Sequence, residues 1–495
     1  MKDYLTYASP ESAGIASRDI IDFLDHLEIF GAYVHSFAVI KGHQIIAEGY
    51  RPPFHAQELH RMYSISKTYA AMAVGVLIGD GEIALDDNIF KWFPEYADCS
   101  DPNLKDATVE ELLKMNSPFP GVPTYCARVP GNLEKHWLET FFTVPTTHPS
   151  GTVWNYDTSA TYVLGVITER IVKRPFMEFL YERVLSKIGC TKEAHCMTTP
   201  DGHSWNGSAC MCTTLDLAKF SRFIMDAGCV DGEQLIPRDF MENAVSRLSD
   251  NNNTGFRNPE HGNGYGYQIW RTLDNSYSLV GMGNQLAICM PDKDLLFVCT
   301  ADHQGDPTMR PIIYTTVWQD IKQKCGMPLP EDPAAWQALK DRCANMPYPV
   351  VEGEKDSAWD IWGKKMVLSE NKMGITEITF KKNSDGTAVL CYVNPQGYKE
   401  IPFGFGSPVI ATFPQDGYGG TTAGVPSDRR FRCITSGAWT MPDTLRLKCD
   451  VIDIYFGSIN MLFTFKGNKA GIHFHRNAQW LLDEYQGYAT GTFIE

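Results

Sequence analysis

The sequence predicts an α/β layered domain followed by an all-β barrel or sandwich. Three observations carry this. At 495 residues the chain is too long for one ordinary core. Its first two thirds place β-rich segments at both ends of a helical middle, the pattern of one sheet closed by its N- and C-terminal segments. After Cys325 the composition changes, and short alternating β segments separated by turn signals take over.

Ile20, Ile21, Phe23, Leu24 and Leu27 recur on a 3.6-residue period, which predicts a helix over 17–30. Residues 33–49 are rich in β-branched and aromatic side chains, with Lys41-Gly42-His43 as a hairpin turn. Helices are expected near 108–115, 159–173, 214–227 and 308–324, and strands at 277–281, 285–290 and 295–301. Residues 1–325 form the first domain. Five prolines around a short helix, 334–346, make 326–354 a linker, and 355–495 form the β domain. Its expected strands are 375–381, 387–393, 409–413, 444–450, 452–456, 460–465 and 471–475.

The net charge of −15 argues against nucleic acid and anionic membrane partners. The first residues lack an apolar core of the signal-peptide kind, so a cytoplasmic protein is expected. The fourteen cysteines include no Cys-x-x-Cys pair, and thiols in a reducing cytosol are the expectation. No metal or cofactor is implied.

The chemistry concentrates at residues 61–79. Ser64 stands at the mouth of an almost wholly apolar helix, with Lys67 three residues on and so on the same face. A helix apolar all round is buried. A lysine amine in such a wall loses proton affinity, because desolvation disfavours its charged form. A neutral amine beside a hydroxyl is a general base beside a nucleophile. A second Ser-x-x-Lys, Ser369 to Lys372, lies in a polar stretch and is read as incidental. Tyr156 sits in a short loop before a helix capped by Asp157 or Thr158. A phenol near a lysine ammonium ionises more easily and can exchange protons with a serine or a leaving group.

Several ordered segments resemble one family. Arg61-Met62-Tyr63-Ser64-Ile65-Ser66-Lys67 resembles the nucleophile segment of the serine β-lactamase-like hydrolases, of the class C and penicillin-binding-protein type. Leu112-Leu113-Lys114-Met115-Asn116-Ser117 resembles their Leu-Leu-x-His-x-Ser stretch, with Met in the His position. Pro149-Ser150-Gly151-Thr152-Val153-Trp154-Asn155-Tyr156 resembles the approach to their Tyr-x-Asn motif, with Gly165 following where expected. Cys212–Phe220 and Gly264–Trp270 match two further segments, so the resemblance spans most of residues 10–320.

The resemblance implies an antiparallel sheet with helices on both sides and an acyl-enzyme mechanism. Ser64 is then the nucleophile, Lys67 and Tyr156 move its proton, and the backbone N–H groups of Ser64 and Met282 form the oxyanion hole. Substrate contacts fall on Thr158, Leu279, Val280, Gly281 and Asn284. Thr158 replaces the motif's Asn, and Leu279-Val280-Gly281 replaces its Lys/His-Thr/Ser-Gly. Leucine and valine cannot bind a carboxylate, which favours an ester or small amide over a β-lactam or a D-Ala-D-Ala terminus.

Acyl transfer and a non-catalytic binding role are the alternatives. His261 and Asn251-Asn252-Asn253 are cleft candidates whose ordinary place is a solvated loop. Trp154, Trp205 and Trp270 are wall-or-core candidates. The β domain is read either as a cover for the cleft or as a surface for a homo-oligomer.

Overall fold

The structure is a computed structural model that describes residues 3–98, 101–121, 123–124, 136–252, 260–415, 429–478 and 481–494. The chain divides into two units, residues 1–303 with 307–346, and residues 304–306 with 347–495.

The first unit is built on a seven-stranded sheet. Its strands are β1 (Thr6–Tyr7), β2 (Val34–Lys41), β3 (Gln44–Tyr50), β4 (Trp270–Arg271), β5 (Tyr277–Gly281), β6 (Gln285–Met290) and β7 (Leu295–Ala301). They lie in the order β1-β3-β2-β7-β6-β5-β4. All neighbours are antiparallel except β1, which runs parallel to β3. The three strands expected at 277–301 have the predicted bounds. β6 and β7 are buried at every position, because both faces of the sheet are covered.

One face carries α1 (Ser17–Ile29), and α2 (Ser66–Gly79) and α3 (Thr158–Val172) pack together beside the sheet. The opposite face carries α4 (Thr214–Met225), packed on β2, β6 and β7. Two further helices, α5 (Met309–Thr316, continuing to Lys322 with wider turns) and α6 (Pro333–Ala344), join α1 on its face. There Phe23 meets Phe297 edge-on at 5.4 Å, in a core shared with Ile288, Ile313 and Val317.

The expected linker is thus partly built into the first unit. Within 326–354, α6 buries Leu339 and Cys343 in that same core. One apolar edge on an otherwise polar helix is enough to dock it.

The second unit is a ten-stranded antiparallel sheet. Its strands are β8 (Lys365–Leu368), β9 (Glu377–Lys382), β10 (Ala388–Asn394), β11 (Gly397–Phe403), β12 (Val409–Thr412), β13 (Arg432–Met441), β14 (Thr444–Ile452), β15 (Phe456–Lys466), β16 (Lys469–Asn477) and β17 (Gly487–Phe493). They follow the order β11-β10-β9-β8-β17-β16-β15-β14-β13-β12. The sheet nearly closes into a barrel. Gly404, just past β11, bridges Ser436 of β13, and the Gly437 N–H donates to the Gly404 carbonyl at 2.9 Å. Inward-facing aromatics fill the interior, with Phe463 edge-on to Phe380 at 5.0 Å and to Phe474 at 5.8 Å.

The sequence missed β8, β11, β13 and β17, and it read 452–456 as a separate strand. Instead, β14 runs to Ile452 and the chain turns at Asp453, whose carboxylate accepts the Ile454 N–H at 2.9 Å. No helix among the described residues is long and apolar enough to cross a membrane.

Candidate active site

Ser64 lies in a single tight turn, Tyr63–Ile65, that leads into α2. Tyr63 enters this turn at φ 46°, a left-handed conformation that costs a non-glycine residue energy. Its neighbours hold it there. Arg61 is wholly buried, its guanidinium lies 4.5 Å from the Tyr63 ring centroid and 4.8 Å from that of Trp205, and its Nε donates to Ser208 O at 3.0 Å. The Met62 N–H donates to Cys210 O at 2.8 Å, and the Cys210 N–H donates to Ser66 Oγ at 2.9 Å. The turn is therefore pinned on both sides of Ser64. Ser64 is not the cap of α2, since Ser66 begins the helix.

Lys67 is 1% exposed. Its Nζ donates to Ser64 Oγ at 2.9 Å and to Gly207 O at 2.6 Å. Gly165 on α3 makes the second bond possible. A Cβ there would lie 1.1 Å from Asn206 Nδ2, so only glycine lets the 206–208 segment seat against the helix. Burial lowers the Lys67 pKa to about 7, against a smaller opposing pull from the buried carboxylate of Asp157. This is the direction expected from the apolar helix.

Tyr156 is brought to the same point. Its ring faces the amine, with Lys67 Nζ 5.0 Å from the ring centroid, and its hydroxyl lies near enough to Ser64 for the two to interact electrostatically. The phenol was expected to ionise more easily; instead burial raises its pKa to about 12. The opposing influences are the nearby Ser64 hydroxyl and the charge of Arg310.

The Leu-Leu-x-His-x-Ser segment props the loop. Met115 Sδ accepts the Asp157 N–H at 3.3 Å, and Ser117 Oγ donates to Asp157 Oδ2 at 2.7 Å. Asp157 caps α3 by accepting the Ser159 N–H at 2.9 Å. Burial raises its pKa, and its Ser159 and Ser117 hydrogen bonds oppose this.

The strand end beside the serine is a close fit. A Cβ on Gly281 would lie 2.3 Å from Met62 O, so this glycine lets β5 abut the Ser64 turn. Met282 follows at the start of the turn into β6. Gln285 Nε2 donates to Met282 O at 2.9 Å and to Ala301 O at 2.7 Å, which fixes that turn. Asn284 adopts φ 72° and is buried. Thr158 packs against Gly207, its Cγ2 2.6 Å from where a Gly207 Cβ would stand.

Leu279 and Val280 are not cleft residues in the way the motif suggested. Leu279 has no exposed surface, and Val280 packs in the core with Trp154, Tyr265 and Trp270. Successive strand residues point to opposite faces, and both faces here are covered.

The aromatic cluster reaches Tyr156 itself. Trp270 stacks on Tyr156, centroids 5.4 Å apart, and Trp154 meets Trp270 edge-on at 5.6 Å. His261 is not solvated: it is 1% exposed and stacks on the other aromatic neighbour, Trp270, at 4.7 Å. Asn251 ties that loop down through His261 O at 2.6 Å, Asn252 is exposed, and Asn253 lies outside the described residues. Trp205 packs under Arg61 and against Trp137. Ser369 and Lys372, the second Ser-x-x-Lys, belong to the second unit, where Ser369 Oγ accepts the Thr490 N–H.

Arg310 was missed. It stands in the first turn of α5, and its Nε donates to Asn284 Oδ1 at 2.9 Å. Nothing around residue 310 marks it as a site residue. The signal is its tertiary pairing with Asn284, 26 residues earlier.

Known proteins resemble this chain at modest identity. The 6-aminohexanoate-dimer hydrolase of Paenarthrobacter ureafaciens is 24% identical over 264 residues, 50% of this chain and 67% of that protein. The lovastatin esterase of Penicillium rubens is 24% identical over 182 residues, 32% of this chain and 45% of that protein. The chain thus spans two thirds of the first relative's length and under half of the second's. Among solved structures, EstCE1, a hydrolase with promiscuous acyltransferase activity, superposes with a TM-score of 0.50 at 12% identity, covering 61% of this chain and 99% of its own. That likeness concerns the fold. The Beta-lactamase family model matches residues 18–319, the span that holds the Ser64 turn, the Tyr156 loop and the Gly281 strand end, and the chain belongs to that family.

Proposed function

We propose that this protein is a serine hydrolase that cleaves an ester or amide bond of a small molecule or short peptide through a covalent acyl-enzyme. The observation that carries the reading is the 2.9 Å contact between Lys67 Nζ and Ser64 Oγ, made by an amine whose proton affinity burial has lowered to about pH 7. A large fraction of such amines is neutral at physiological pH and can accept the serine proton.

Ser64 Oγ attacks the carbonyl carbon as its proton passes to Lys67. The Ser64 and Met282 N–H groups face the developing oxyanion. Collapse breaks the bond to the leaving group, which takes a proton relayed through Tyr156. Water then attacks the acyl-enzyme, giving its proton back along the same relay, and the acid departs with Ser64 regenerated. The activities named for the two curated relatives, a dimer hydrolase and an esterase, support an ester or amide substrate.

The test is a fluorophosphonate. The intact protein should gain the probe mass on the peptide carrying Ser64, and Ser64→Ala should gain none. Hydrolysis of 4-nitrophenyl esters should exceed that of nitrocefin. Absence of labelling would favour a binding protein that kept the fold, and brisk nitrocefin turnover would restore the β-lactamase reading.

A further inference from the structure

The short strand β1 covers only the start of its neighbour β3. Thr6 and Tyr7 pair with Gln44 and Ile45, and the Ala8 N–H donates to Ile45 O at 3.2 Å. The chain then leaves the edge. Ser9 Oγ donates to Glu331 Oε1 at 2.8 Å, and Pro10 has no N–H to offer. From Ile46 to Tyr50, β3 therefore has β2 on one side and no strand on the other.

The direction of the free backbone groups follows from the ladder. The Arg51 N–H donates to His35 O at 2.8 Å. Bonding alternates along an antiparallel pair, so Gly49 and Ala47 also bond inward, to Phe37 and Val39. Glu48 and Tyr50 then turn their N–H and C=O groups outward, and these groups have no partner among the described residues.

Residues of β3 and of α6, which packs beside it, line a cleft of about 350 Å³ along this edge. Its two sides differ in chemistry. Ala47 shares a core with Leu339 and Cys343, and a Cβ on Gly49 would lie 2.8 Å from Met346 Sδ, so these two residues face α6. That side is apolar, walled by Leu339, Cys343 and Ala344. Its cation, Lys340, is engaged by Trp336, with Nζ 3.6 Å from the ring centroid. Glu48 and Tyr50 share the opposite face of the strand. There the Tyr50 hydroxyl donates to Glu48 Oε2 at 3.0 Å, and that of Tyr7, 65% exposed, donates to Oε1 at 2.7 Å. Two phenols hold the Glu48 carboxylate in place, and no cation pairs with it among the described residues.

An open edge is completed by a strand, which gains main-chain hydrogen bonds and sends alternate side chains to opposite faces. A second copy of this chain would bring its own Glu48 and a net charge of −15 to the same edge, and like charges across a strand pair repel. A basic segment is the complementary guest.

We propose that the β3 edge beside α6 is a peptide-binding site, at which an extended segment of a partner protein adds a strand, with apolar side chains toward Leu339 and Cys343 and basic ones toward Glu48. The site is independent of the chemistry at Ser64.

The probe is fluorescein-Val-Lys-Val-Lys-Val-amide, followed by anisotropy on the full chain. It should bind about tenfold or more tightly than the same peptide with Glu in place of Lys, and Glu48→Gln should bring the two together. N-methylation of alternate peptide residues should abolish binding in one phase, which blocks the edge facing β3, and spare it in the other. In the unaltered protein, bound peptide should slow hydrogen exchange at the Glu48 and Tyr50 amides. Failure of the lysine peptide to bind, binding that ignores the N-methyl phase, or unchanged exchange at both amides would overturn the proposal. A dimer in sedimentation that shields the same two amides without peptide would overturn it in favour of a second copy.

Discussion

The ring of Tyr156 lies against the indole of Trp270, centroids 5.4 Å apart and planes 24° apart. In the proposed mechanism the phenol hydroxyl must reach Ser64 for proton relay, and this stacking limits its swing. Trp270→Phe should preserve a face for Tyr156 and most of the activity. Trp270→Leu should lower kcat on a 4-nitrophenyl ester by about tenfold, equivalent to roughly 1.4 kcal/mol in the barrier. Fluorophosphonate labelling of Ser64 should slow in parallel. Equal kcat in both variants would show that the indole only fills space.

The pH dependence should follow Lys67. Below about pH 7 its amine is protonated and cannot take the serine proton, so kcat/KM on an uncharged ester should fall toward tenfold per pH unit. The same shift bears on stability. The folded chain holds this proton more weakly than the unfolded chain, so stability attributable to Lys67 rises with pH, from about 7 toward the ordinary lysine value of 10.5. A rate flat between pH 5.5 and 8 would contradict the assignment.

Asp157 raises the proton affinity of Lys67. Asp157→Asn keeps an acceptor for the Ser159 N–H and so keeps the cap of α3. It removes the charge, and the acidic limb of the rate profile should move to lower pH. A limb that stayed in place, measured on the same ester, would confine Asp157 to capping.

Gly281→Ala puts a methyl group 2.3 Å from Met62 O, where backbone must shift. A destabilisation of about 1–3 kcal/mol is expected, the usual cost of overpacking. Activity should fall further than stability explains, since β5 and the Ser64 turn separate. Thermal unfolding read beside kcat/KM checks both.

The parts of the site legible in the sequence are those whose geometry is local. Ser64 and Lys67 are one helical turn apart, so their contact follows from the spacing, and the all-apolar α2 announces the burial that lowers the lysine pKa. Strands β5, β6 and β7 were legible to the residue because turns with glycine, asparagine and proline bound them. The elements that escaped depend on distant partners. The Gly207 carbonyl that holds Lys67 is backbone and has no sequence signature. Arg310 acquires its meaning only from Asn284, and His261 leaves solvent only because Trp270 offers a ring to stack on. In the second unit, β11 carries Lys399, Glu400 and Pro402, which masked its alternation, and the Asp453 turn between β14 and β15 is too short to interrupt the apolar run.

The bridge between Gly404 and Ser436 has a consequence for solubility. An open ten-stranded antiparallel sheet ends in two rows of unpaired amides and carbonyls, each a template for recruiting a strand from another molecule. By turning the β11 end toward β13, this protein occupies part of those rows with its own backbone. Substitutions that splay the seam should therefore show themselves first as aggregation.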